Sequence, residues 1–110
     1  MKRKARVSSA RVGRASVSHD EVMKRMLRDD DEFAVEYLKA ALEDTEEPKV
    51  LLIALRRLAE ARGGMARIAK AAGVERESLY RALSVRGNPR LSTLVAVTRA
   101  IGMKLSVEAA

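Results

Sequence analysis

A single glycine between two short helix-forming segments constrains this chain more than any other feature. In MARIAKAAGVERESLYRALS, residues 65–84, Ile68 and Ala69 fall inward on one segment and Leu79 and Ala82 on the next. Gly73 turns the chain between them, where a left-handed backbone costs a residue with a side chain about 1–2 kcal/mol. Val74 plugs the corner, and Ala69 has to be small because the second helix crosses close to it. Small residue, glycine, apolar corner and apolar second-helix positions at this spacing predict a helix-turn-helix. In that arrangement the second helix enters the DNA major groove while the first crosses the backbone.

The outward positions then acquire a purpose. Glu75, Arg76, Glu77, Tyr80, Arg81 and Ser84 lie away from Leu79 and Ala82. Arginine can fork onto guanine, glutamate can accept from cytosine, and tyrosine can reach a phosphate or a thymine methyl. Arg76, Tyr80 and Arg81 are the leading DNA contacts, with Glu77 and Ser84 beside them. Arg67, Lys70, Arg86 and Arg90 flank this set as phosphate contacts. The alternative for every one of them is a solvated, salt-bridged helix face.

Charge is distributed in blocks. Residues 1–17 carry six bases and no acid, residues 18–49 five bases against eleven acids, and residues 50–110 eleven bases against four acids. The basic ends suit a polyanion, and the acidic middle suits a basic partner. The first 17 residues lack large apolar side chains and read as a flexible basic arm. Their composition is also that of an organellar transit peptide, but alternating Val and Ala make a poor amphipathic helix.

Ser18 and Glu21 have capping-box spacing, and Val22, Met23, Met26 and Leu27 give a short helix over about 19–28. DDDE, residues 29–32, suits a helix N-terminus, where carboxylates oppose the macrodipole. Phe33, Ala34, Tyr37, Leu38, Ala41 and Leu42 make the stripe of a second helix, about 30–44. Pro48 fits the first turn of a third helix, 48–62, closed by Gly63. Helices over about 65–72 and 76–84 follow, then one from a Ser92 cap to Ile101, closed by Gly102. MKLSV, residues 103–107, alternates apolar and polar and is compatible with one short strand.

These signals predict an all-α chain of five to six helices. It divides into a basic arm (1–17), an acidic helical extension (18–47) and a helix-turn-helix domain (48–110). Aromatic residues are only 3%, so Leu, Val, Ile, Ala and Met must pack the core. Without cysteine there is no disulfide or thiolate site, and no run reaches the roughly 18 apolar residues of a membrane span. His19 has no second metal ligand near it, and Asp29, Asp30 and Asp31 read as helix caps rather than cation ligands. No nucleophile–base pair or phosphate-binding glycine loop occurs, so the expectation is a soluble, intracellular binding protein without metal or cofactor, not an enzyme.

EYLKAALED, followed by LLIALRRLAEARGGMARIAKAAGVERESLYRALSVRGNPRLSTLVAVTRAIGMKL, closely resembles the HigA-like addiction-module antidotes. These are a branch of the lambda-repressor-like (Xre/Cro) helix-turn-helix group, and the match spans about residues 30–107. ESLYRALS, GNP and TLVAVTRAIG carry it most specifically. The resemblance implies a lambda-repressor-like fold in a bacterial cytoplasmic, nucleoid-associated antitoxin. It implies binding to double-stranded operator DNA, autoregulation of a type II toxin–antitoxin operon, and a RelE/ParE-superfamily toxin as partner. Met65 and Glu75 stand where the wider group often has Gln and Ser or Thr, so helix-terminal amides would serve phosphate at Met65.

A homodimer would add stability to a small core and double the phosphate contacts. Because such toxins must hold RNA, a basic partner surface is implied, and residues 18–33 of the acidic segment are the expected toxin site, separable from DNA binding by residues 50–102, with Met23, Met26, Leu27 and Phe33 as its apolar contacts. Tyr37, Leu38 and Leu42 are expected instead to pack on the 48–62 helix. A stand-alone prophage-type repressor is the first alternative reading. A protein-binding adaptor that uses its basic face for an acidic partner is the second.

Overall fold

The computed structural model describes residues 18–43 and 47–110; the expected basic arm, 1–17, lies outside them. Six helices occur among the described residues: α1 (His19–Asp29), α2 (Asp31–Glu43), α3 (Pro48–Ala61), α4 (Met65–Ala72), α5 (Arg76–Ala82) and α6 (Leu91–Ile101). Their ends follow local chemistry. The Glu21 backbone N–H donates to Ser18 Oγ at 3.1 Å, which is one half of the expected capping box. Asp30 serves two helices at once. Its backbone N–H donates to the Met26 carbonyl at 2.9 Å, closing α1, and its carboxylate accepts from the Phe33 N–H at 3.0 Å, opening α2.

Three helix ends close in the same way. The amide of Gly64 donates to the Ala59 carbonyl, that of Val74 to Ala69 and that of Met103 to Thr98, each five residues back. Gly73 (φ 72°) and Gly102 (φ 105°) supply the left-handed residue that such a closure needs.

The apolar stripe of α3 explains the architecture. Leu52, Ala54, Leu55, Leu58, Ala59 and Ala61 are all buried, too broad a face for one neighbour to cover. Accordingly α1, α2, α4 and α6 all pack on α3, and α5 packs on α4. Leu27, Leu58, Ile68, Leu79, Leu83 and Val97 are the largest fully enclosed side chains. Burying each contributes about 1.5–3 kcal/mol. The acidic segment belongs to this same core, giving it Leu27, Ala34, Leu38 and Ala41.

Arg62, just after α3, ties three helices together. Its guanidinium donates to the Leu27 carbonyl (2.9 Å) at the end of α1 and to the Ile101 carbonyl (3.3 Å) at the end of α6. It also donates to Asp31 Oδ1 (2.7 Å) at the start of α2.

Several expectations need correction. Residues 103–107 form no strand, since among the described residues there is no second strand for them to pair with. The last helix begins at Leu91 with Arg90 as its cap, so Ser92 is already inside it. The α5 helix stops at Ala82, two residues earlier than the apolar pattern predicts. Leu42, expected to pack on α3, is 53% exposed near the end of α2.

Candidate functional site

Helices α4 and α5, with the turn at Gly73 between them, bring together most of the predicted contacts. Ala69 of α4 and Leu79 of α5 are fully buried, α5 packs on α4, and Val74 is half-buried against the core at the corner. Val74 is held there by its amide bond to the Ala69 carbonyl, 2.9 Å. The outward side of α5 is therefore set by what its inward side buries.

On that side Arg76, Glu77 and Arg81 are exposed, and Tyr80 and Ser84 are half-buried. The Ser84 hydroxyl donates to the Arg81 carbonyl at 2.8 Å, so it braces the end of α5. The Arg81 guanidinium rests on Ser78 Oγ at 3.2 Å. Tyr80 does more than face outward, because its ring packs against the core and carries two guanidinium groups. Arg76 lies 5.7 Å and Arg56 5.2 Å from the ring centroid.

Arg56 comes from α3 and was not legible as a site residue. Its only signal is an i,i+4 spacing to Glu60, with which it makes a 3.6 Å ion pair. Its partnership with Tyr80 crosses from one helix to another, and no periodicity encodes that.

Arg67, Lys70, Arg86 and Arg90 are all exposed, the first two on α4 and the others in the 83–90 loop. That loop turns tightly at Gly87, whose amide donates to the Ser84 carbonyl at 2.9 Å. Residues 64–101 hold seven bases against two acids, a surface suited to a polyanion. Met65, by contrast, is buried at the start of α4 and presents no side chain to a ligand.

The expected partner face on α1 and α2 needs one correction. Leu27 is 1% exposed and its carbonyl is bound by Arg62, so no partner can reach it without opening the core. Phe33 and Met23 are half-buried against that core, whereas Met26 (39%) and Val22 (40%) are exposed one turn apart on α1. In the last turn of α1 Arg28 binds Asp29 through two nitrogens, at 2.8 and 2.9 Å. That hydrogen bond holds the Asp29 carboxyl below its ordinary pKa. Both side chains are more than half exposed, so solvent screens the pair and it contributes little to stability.

No group of three or more residues suited to holding a metal ion occurs among the described residues, and none of their helices is long and apolar enough to cross a membrane.

Comparison with known proteins adds a family. A Haemophilus influenzae protein described as uncharacterized is 39% identical over 72 residues, covering 66% of this chain and 72% of its own length. No solved structure matches the chain. A family model described as "probable addiction module antidote protein" matches residues 19–109, which takes in all six helices and every candidate residue named above. The chain belongs to this family of probable addiction module antidote proteins.

Proposed function

We propose that this chain is the DNA-binding antitoxin of a type II toxin–antitoxin module, represses its own operon as a homodimer, and neutralises a RelE/ParE-superfamily toxin. The observation that carries the DNA half is the Arg56–Tyr80–Arg76 stack beside the exposed Arg81 and Glu77 of α5. In this reading α4, the Gly73 turn and α5 act as a helix-turn-helix. The α5 side chains read base edges, and Arg67, Lys70, Arg86 and Arg90 meet phosphates. An arginine stacked on an aromatic ring has less freedom to lose when it meets a base or phosphate. The toxin half is supported by the family to which the chain belongs and by the acidic excess of residues 18–49. All the roles are binding roles, and none requires the chain to be an enzyme.

The test has two arms. The purified chain is run in gel shifts on DNA carrying its own promoter, with random DNA as competitor. It is also co-expressed with the product of the reading frame next to its gene, and growth is followed. Retardation that resists random competitor, together with restored growth, is the expected result. Retardation abolished equally by both DNAs overturns the repressor reading, and growth arrest despite co-expression overturns the antitoxin reading.

A further inference from the structure

The segment after α6 is a strand pattern without a strand. Met103 to Val107 alternates apolar and polar, yet from Lys104 to Ala110 no backbone hydrogen bond is made among the described residues. Cover on its apolar side is lost step by step. Met103 packs against the core, Leu105 is 50% exposed and Val107 is 98% exposed. From Met103 to Glu108 all but Val107 line an open groove of about 670 Å³, whose other walls are largely apolar side chains of α2, α3 and α6, Val35 and Leu42 among them. Val35 and Leu42 are themselves exposed there. Unpaired backbone beside uncovered apolar surface is a template for strand addition.

We propose that this segment pairs antiparallel with the same segment of a second copy of the chain, forming a two-stranded ribbon over the groove. The sequence is complementary to itself in one register. With Ser106 opposite Ser106 across a two-fold axis, Lys104 meets Glu108, Leu105 meets Val107 and Met103 meets Ala109, each pair occurring twice. Opposite charges then face each other on the polar side. The apolar pairs gather on the other side. A two-stranded ribbon alone is marginal in water, and the exposed Val35 and Leu42 of α2 give it a surface to rest on. A register with Leu105 at the axis would set Lys104 against Ser106 and leave Glu108 opposite Gly102, without the ion pairs. The proposal deepens the homodimer in the function proposed above by naming its interface.

The experiment uses the full chain, with dimerisation measured by sedimentation and operator binding by gel shift on the same samples. Lys104→Glu and Glu108→Lys each put like charges opposite one another twice and are expected to weaken the dimer about tenfold or more. The double variant K104E/E108K restores the opposite pairing and is expected to recover most of the loss. Because the chain has no cysteine, Ser106→Cys is expected to form a disulfide-linked dimer under mild oxidation, with Leu105→Cys cross-linking much less. Single variants that dimerise like the parent, no rescue in the double variant, or preferential cross-linking through Leu105→Cys would each overturn the proposal. A chain that is monomeric alone and takes up a second chain only with a toxin present also overturns it. Rescued dimerisation without operator binding sustains the ribbon while removing the repressor reading, so the two failures are separable.

Discussion

The Arg62 guanidinium lies 2.7 Å from the Asp31 carboxylate, yet the two side chains stand in different surroundings: 12% of the arginine is exposed against 84% of the aspartate. The asymmetry decides what the contact is worth. An ion pair with one partner in water contributes about 0–1 kcal/mol. The bonds from Arg62 to the Leu27 and Ile101 carbonyls satisfy helix-end acceptors in a less exposed place, and each charge-assisted bond contributes about 1.5–3 kcal/mol.

Arg62→Ala is therefore expected to destabilise the chain by about 2–4 kcal/mol and Asp31→Ala by less than about 1 kcal/mol. Arg62→Lys should fall close to alanine, because an ammonium is a single point charge and cannot span three acceptors. Urea unfolding of the three variants checks this. An Asp31→Ala loss as large as that of Arg62→Ala would show that the ion pair, rather than the carbonyl bonds, holds the helices together.

Two glycines separate a readable constraint from a hidden one. Gly73 adopts φ 72° with open space where a side chain would begin, so Gly73→Ala is expected to cost only the conformational penalty, about 1–2 kcal/mol. At Gly87 a Cβ would fall on the Ala82 carbonyl oxygen and within 2.8 Å of the Arg81 carbonyl, both of them backbone atoms. Gly87→Ala should therefore cost more than Gly73→Ala, at about 2–4 kcal/mol, and should disturb the end of α5. Thermal unfolding with circular dichroism ranks the two, and the reverse order would refute the close approach as the reason for glycine at position 87.

The same contrast runs through the whole chain. All six helices were legible because their stripes, caps and glycines are local signals, and the left-handed turn at Gly73 could be assigned from its neighbours. What eluded sequence reading depends on residues far apart in the chain. Arg62 reaches 35 residues back to Leu27 and 39 forward to Ile101, and Arg56 on α3 lies over Tyr80 on α5. Leu27 fits the outward stripe of an isolated helix as well as the inward one, and only the packing of α1 on α3 decides between them. The alternation in residues 103–107 was readable, but a strand needs a partner strand and the described residues hold none.

For the proposed DNA surface, Arg76→Ala and Arg81→Ala are each expected to cost about 1–3 kcal/mol on the specific operator and much less on random DNA. Arg56→Ala should weaken both more evenly, since its place over Tyr80 suits it to phosphate rather than to base edges. Tyr80→Phe keeps the ring and should keep most of the affinity, while Tyr80→Leu removes the surface on which both arginines lie. Gel shifts on the two DNAs decide the assignments. Equal losses on both for Arg76→Ala and Arg81→Ala would reassign those residues to phosphate contact.

The last prediction concerns the proposed toxin surface, where fold and recognition can be pulled apart on one helix. Val22 and Met26 are exposed at i,i+4 on α1, a pair suited to an apolar groove on a partner, whereas Leu27 beside them is sealed in the core. Replacing both Val22 and Met26 by serine should leave stability within about 0.5 kcal/mol, since neither is needed to close the core. The same replacement should weaken toxin binding about tenfold or more, measured by calorimetry with the purified cognate toxin. Leu27→Ala should do the opposite, costing about 2–5 kcal/mol of stability through the cavity it leaves. At a temperature where that variant is still folded, its affinity for the toxin should be close to that of the parent. Full affinity in the Val22/Met26 variant would remove the outer face of α1 from the toxin site. The exposed acids of α2 (Asp31, Glu32, Glu36 and Glu43) would then be the next surface to test.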